Sequence, residues 1–216
     1  MNKEAWLIGS SVFEKYAPTM VTTENRRAWK AATLDSIDFH IATCDCEGVG
    51  VAIAEDTPII TLWQPYATAL VMEGFKANET RSWSTKVRGP VLIHAAKRWG
   101  VDQRYVCEQE HGAALCYELG GGYYSDILPR GAIVGAVWID KVVPAVTEYV
   151  LQSDIAASGM FTDKRTAQAE REIAFGDYSG RRFAWKTTRR IRFKTPIFYK
   201  GQQGFFKFKH ADRVIA

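Results

Sequence analysis

The spacing of apolar residues changes several times along this chain, and each change predicts an element. Ile59 to Leu62 form a short apolar run that reads as a buried strand. Pro65 then suits the first turn of a helix, where a missing N–H leaves no bond unmade. Ala67, Leu70, Val71 and Met72 supply that helix with an apolar face, and Gly74 is placed to end it in a left-handed conformation. A charged turn and strand follow, Phe75-Lys76-Ala77-Asn78-Glu79-Thr80-Arg81, then an apolar strand ending in His94-Ala95-Ala96-Lys97. In a regular strand Glu79 and Arg81 share one face and Lys76 points to the other. With Lys76 still in the turn, all three converge on the helix end.

Downstream, residues 102–118 read as a helix opened by Asp102, weakened in its middle by Gly112 and ended by Gly120-Gly121-Gly122. The triple glycine has neither the spacing nor the preceding strand of a phosphate loop, so it predicts a connector. Gly131 to Val143 is a long β-branched strand closed by Pro144, and residues 145–157 predict a helix. Met160 to Asp177 reads as a loop with a short helix from Thr166, its mixed charges forming a solvated surface. Three short strands finish the chain: Phe183 to Thr187, Arg189 to Phe193 and Gly204 to Phe208. Upstream, residues 1–56 show only a helix over Glu24 to Ala32 and a strand over Val49 to Ile53. They read as an N-terminal extension to a domain over 57–210. Strand-rich segments separated by helices that cover barrel ends predict an α+β fold.

Composition narrows the class. The chain has 216 residues, 47% of them hydrophobic and 24% charged, which fits one soluble domain with an appendage. No run approaches the ~20 apolar residues of a membrane span, and the N-terminus does not read as a signal peptide, so the expected compartment is the cytoplasm. Cys44 and Cys46 form a C-x-C pair, and Cys107 and Cys116 sit nine residues apart. Neither spacing is that of a zinc site, so ordinary reduced thiols are expected, with no metal and no cofactor. Charge says more when it is divided. Residues 1–56 carry five basic and nine acidic side chains, residues 57–216 carry twenty-three and fifteen, and residues 181–213 carry eleven against Asp212 alone. A basic body behind an acidic leader points to a polyanionic partner.

Several blocks now carry a resemblance. Gly74-x-Lys76-x-x-Glu79-x-Arg81 resembles the G-x-K-x-x-E-x-R signature of the ASCH domain family, for activating signal cointegrator homology. Leu62-Trp63-Gln64-Pro65-Tyr66-Ala67 is similar to the family's lead-in, and Arg88-Gly89-Pro90 with the strand after it is similar to the next block. Leu128-Pro129-Arg130-Gly131-Ala132-Ile133-Val134-Gly135, Phe175-Gly176-Asp177-Tyr178 and Phe183-Ala184-Trp185 resemble later ones. The match spans about Thr57 to Lys209. It implies a β-barrel of the PUA-like type with flanking helices, and an RNA-related or nucleotide-related role.

Three functions compete on these residues. In the first, the protein binds single-stranded or looped RNA, because bases neutralise phosphates and exposed aromatics stack on unpaired bases. Candidate contacts are Trp63, Gln64, Lys76, Glu79, Arg81, Trp83, Lys97, Trp185, Arg190 and Arg192. Lysine supplies a point charge and Arg81 a planar fork for phosphate, while Glu79 orients one or both. Against this stands a plainer reading, in which Arg190 and Arg192 form the exposed face of a strand half-buried through Ile191 and Phe193. In the second, the protein is an RNA-directed enzyme. A metal-independent ribonuclease would use Lys76 or His94 as base and Arg81 or Lys97 to stabilise developing charge. The resemblance also implies an N4-acetylcytidine amidohydrolase, whose Lys-Thr-Glu set has threonine three residues after the lysine. Glu79 stands there, and Thr80 and Ser82 are out of register, so this ranks below binding. In the third, the domain is a protein-interaction module of a coregulator complex. Binding of RNA or a nucleotide-like ligand leads.

Overall fold

In the computed structural model, which describes residues 5–8, 40–43, 50–145 and 163–209, the strands divide into two sheets. The smaller sheet joins β1 (Ala5–Ile8), β2 (His40–Thr43) and β3 (Gly50–Ile53) in the order β1-β3-β2. The larger contains β4 (Pro58–Leu62), β5 (Asn78–Arg81), β6 (Gly89–Ala95), β7 (Ala132–Pro144), β8 (Phe183–Phe198) and β9 (Phe205–Lys207). Its order is β5-β8-β7-β6-β4-β9, antiparallel except for the β4–β6 pair. The described helices are α1 (Tyr66–Val71), α2 (Val101–Glu108), α3 (Glu110–Glu118), α4 (Tyr124–Ile127) and α5 (Asp163–Phe175).

The large sheet curls into a half-barrel because its concave face is apolar and must be covered. Ile60, Leu62, Val91, Ile93, Ala95, Val137, Ile139 and Trp185 fill that face, and Ala67, Leu70 and Val71 of α1 pack into the same cluster. The curl brings distant strands together. β5 and β4 stand four places apart in the sheet order, yet Arg81 Nη2 donates to the Thr61 carbonyl at 3.1 Å. Trp185 of β8 likewise stacks on Phe205 of β9 with centroids 5.4 Å apart. A second cluster, Ala69, Phe75, Leu115 and Phe175, ties α1 to α3 and α5.

Local signals account for much of this. Pro65 is the N-cap of α1, after a cis Gln64–Pro65 bond, and Gly74 turns the chain with φ +77. Three expectations are revised. The helix over 102–118 is two helices broken at Gln109, whose ψ of 162 is extended. Gly112 is there for space: a Cβ on it would lie 2.0 Å from the Val106 carbonyl oxygen, so it lets α3 start against the end of α2. Cys107 and Cys116 are free thiols buried in this hairpin, and burial pushes Cys107 up to about 12. The two strands expected over 183–193 are one sixteen-residue strand, because Arg189 is bulged at φ 43 between Thr188, opposite Trp138, and Arg190, opposite Val137. The charged segment expected as a loop with a short helix is a thirteen-residue helix, α5, whose Glu172 is only 3% exposed. The helices expected over 24–32 and 145–157, and Cys44 and Cys46, lie outside the described residues, apart from Ala145.

Candidate functional site

A cleft of about 510 Å³ opens between the end of β4, the β5 strand and the loop after α5, walled by Trp63, Tyr66, Arg81, Asp177 and Arg182 over a floor of Lys76, Glu79 and Thr80. It exists because the Gly74 turn keeps Lys76 out of the strand. From there Lys76 reaches the same side as Glu79 and Arg81. Its Nζ donates to the Phe175 carbonyl at 2.8 Å and lies 3.6 Å from Glu79 Oε2. Phe175 is the last residue of α5, so the ammonium sits on the negative end of a helix dipole. Arg81 Nε lies 2.8 Å from Glu79 Oε1. This contact is an ion pair and not an aligned hydrogen bond, the guanidinium being turned toward Thr61. One carboxylate thus serves both cations of the motif.

A frame of hydrogen bonds from far along the chain fixes this segment. Glu172 accepts the backbone N–H groups of Ala77 and Asn78, the latter at 3.1 Å, and its Oε1 also accepts from the Tyr178 hydroxyl at 2.6 Å. Arg171 donates to the Gly74 carbonyl at 3.0 Å, and the Asp177 N–H donates to Thr80 Oγ1 at 3.0 Å. From β8, the Thr187 N–H and hydroxyl both donate to the Ala77 carbonyl. Asp177 is held ionised below the usual carboxylate range, chiefly by the Ser179 hydroxyl and N–H, with Arg182 3.2 Å away. Burial raises the Tyr66 phenol above its ordinary value, so the cleft meets it as a neutral donor.

The sequence candidates separate into three groups. Trp63, Lys76, Glu79 and Arg81 share the cleft, with Trp63 42% exposed. Trp83 and Lys97 are exposed but outside its lining: Trp83 packs edge-on against Trp185 and Phe205, and Lys97 lies beyond the end of β6. The others are buried or half-buried and also lie outside the lining. Trp185 is a core side chain. Gln64 is fully buried, donating to the Pro129 carbonyl and accepting the Thr68 N–H. Arg190 donates to the carbonyls of Lys76 and Thr187 and lies 3.8 Å from Glu73. Arg192 is half-buried at a second, smaller hollow on the far side of α1.

His94 stands behind the cleft wall. Its Nε2 lies 3.0 Å from the Tyr199 carbonyl, an acceptor, so Nε2 carries the proton; Nδ1 takes the Thr61 hydroxyl at 3.3 Å. Burial lowers its pKa below 6.5, and only the hydrogen bond to Tyr199 opposes this. Residues that sequence reading missed are Glu172, Arg171, Tyr178 and Arg182. For Arg171 and Glu172 the signal was mixed charge after residue 163, which a solvated helix shows equally well; Tyr178 stood in a block of the family resemblance, and Arg182 in the basic C-terminal stretch.

No curated protein matches the chain. Among solved structures it is similar to ASCH from Zymomonas mobilis (13% identity over 73% of this chain and 90% of that one, TM-score 0.36). A Tyr-to-Phe mutant (14% identity, 73% and 93%, TM-score 0.38) and a Ser-to-Ala mutant (13%, 73% and 91%, TM-score 0.38) of that protein are similar to the same extent. The ASCH domain matches residues 60–194, which take in the barrel strands β5 to β7, most of β4 and β8, the frame from α5 and the whole cleft. The chain therefore belongs to the ASCH domain family.

Proposed function

We propose that this ASCH protein binds RNA, single-stranded or looped, or a nucleotide-like ligand, by seating one nucleotide in the cleft around Gly74-x-Lys76-x-x-Glu79-x-Arg81. One observation carries the reading: an exposed indole, Trp63, and a fixed array of donors and acceptors, Arg81, Glu79, Asp177 and Tyr66, face the same 510 Å³ space. That volume lies in the range of small-ligand sites, ~300–1,000 Å³. Because Glu79 compensates Lys76 and Arg81, and Asp177 compensates Arg182, the floor offers directed hydrogen bonding more than net positive charge. Such a floor favours the polar edge of a base over a phosphate, while the indole supplies a stacking face.

Titration of short single-stranded RNA into the protein tests this. Trp63→Ala should weaken binding by about 1–3 kcal/mol, the contribution of one base–aromatic stack, with little effect on folding because the side chain is exposed. RNA affinity that is the same with and without the indole would sink the reading. The amidohydrolase set implied by the resemblance has a threonine hydroxyl where Glu79 stands, and that carboxylate is committed to two cations.

A further inference from the structure

Cations of another kind line the barrel end beside the cleft. β4, β6 and β7 are neighbours, and the Ala96 N–H to Leu62 and Gly131 N–H to Ala95 bonds hold their connecting segments together. Trp63, Arg98, Trp99 and Arg130 are thereby placed side by side. The Arg98 guanidinium lies over the Trp63 ring at 5.5 Å and that of Arg130 over the Trp99 ring at 5.7 Å. Trp99 contacts Tyr124 at 5.6 Å, and Tyr124 stacks on Tyr123 at 4.4 Å, with Tyr123 62% exposed. Two contact groups, Trp63 with Arg98 and Arg130 with Trp99, Tyr124 and Tyr123, are thus joined through the chain at Arg98-Trp99. Both arginines are exposed, and among the described residues neither has a carboxylate partner. Lys97, also exposed, adds a third charge. Of the carboxylates nearby in sequence, Glu108 and Asp126 accept the Tyr124 and Ser125 hydroxyls, while Asp102 is exposed in the first turn of α2 and forms no ion pair with either arginine.

We propose that the RNA strand leaving the cleft crosses this surface, its phosphates met by Lys97, Arg98 and Arg130 and its bases by Trp99 and Tyr123. The inference rests on the cleft being an RNA site and assigns what the cleft lacks. A phosphate pays little desolvation cost at a guanidinium lying on a ring face, whereas at Arg81 or Arg182 it would compete with a resident carboxylate. Alternating guanidinium and aromatic groups is the pattern of sequence-tolerant single-strand binding.

The test compares a single-stranded RNA of about twelve nucleotides, within the ~4–16 spanned by single-strand binding folds, with a dinucleotide, both on the full chain. The Arg98→Gln/Arg130→Gln double variant should lower the slope of log K against log[salt] by about 1.4, at ~0.7 per phosphate contact on a single strand. Its affinity deficit for the longer RNA should therefore shrink about sevenfold between ~50 and ~200 mM salt. Because a dinucleotide reaches past the cleft by one phosphate at most, its affinity should fall less than that of the longer RNA, and Arg98→Lys/Arg130→Lys should restore the slope. An unaltered slope with Trp63-dependent binding intact would overturn this inference and spare the cleft. No RNA binding by the unmutated protein would overturn both. Base-free polyphosphate bound as tightly as the RNA would also overturn the assignment, since a generic polyanion surface needs no aromatic partners.

Discussion

Glu79 touches both cations of the motif, and Lys76 is only 2% exposed, so the two ends of this cluster respond differently to mutation. Glu79→Gln leaves a buried ammonium without its counter-charge and should cost about 3 kcal/mol, as breaking one side of a buried pair does. Lys76→Met removes the charge together with its need for a partner, leaves Glu79 paired to Arg81, and should cost less. Urea unfolding of the two variants checks the order; a milder Glu79→Gln would contradict it. Because Lys76 is enclosed, Lys76→Arg is a test of packing as much as of charge. The same commitment of Glu79 leads us to expect no cytidine release when the purified protein is incubated with N4-acetylcytidine. His94 adds a pH effect. Its folded pKa is depressed below 6.5 by burial, so the unfolded chain binds the proton first. Stability is full above about pH 6.5 and falls as the pH drops from there through the lower, folded value. His94→Gln should flatten that acid limb relative to the unmutated protein when denaturation midpoints are compared between pH 7.5 and 5 (roughly the range in which an ordinary histidine titrates).

At the scale of the element, α5 decides the cleft more than the strand that carries the motif. Its last turn supplies Glu172 to two backbone N–H groups, Arg171 to Gly74 and the Phe175 carbonyl to Lys76. Glu172→Ala leaves the buried Asn78 amide and the half-buried Ala77 amide without their acceptor, at ~1–3 kcal/mol for the buried group and less for the other. Thermal unfolding should show the lower midpoint, and ligand affinity should fall with it because the floor loses its frame. A variant that is destabilised with unchanged affinity would mean that the cleft does not depend on α5. The α2–α3 hairpin has its own constraint. Gly112→Ala would push a methyl group into the Val106 carbonyl and should destabilise by about 1–3 kcal/mol.

Over the whole molecule, the charge division and the fold pull on the leader in opposite directions. Residues 1–56 are net acidic, so removing them should keep or raise affinity for RNA. Yet the 56/57 boundary cuts just after β3, whose Ile53 is fully buried, and Glu55 and Asp56 pair with Lys207 and Lys209 next to β9. The Asp56 N–H also donates to the Phe208 carbonyl. A chain beginning at Thr57 should unfold at a lower temperature than the full chain by calorimetry. Below both transitions it should bind RNA at least as well. Weaker binding by the folded, shortened chain would give the leader a direct part in the site.

Local interactions made β4, β6, β7, α1 and the Gly74 turn legible, because apolar runs, proline and a left-handed glycine act within a few residues of themselves. The motif was legible for the same reason: Lys76, Glu79 and Arg81 lie within six consecutive positions. The chain alone left open which way Lys76 points. Tertiary structure decided this through the bonds from Lys76 to Phe175 and from Ala77 to Glu172, which span 99 and 95 residues. The same holds for Gln64, Trp185 and Arg190. Their residue types suit a binding surface, but the fold puts Trp185 inside the barrel and directs the Gln64 amide N–H and the Arg190 guanidinium to carbonyls of other segments. It also merged two expected strands through a single bulge at Arg189 and turned a mixed-charge segment into the frame of the cleft. Pattern along a sequence reports what each residue prefers. Which partner it meets depends on strands that close on one another across the barrel, and only the folded chain determines that.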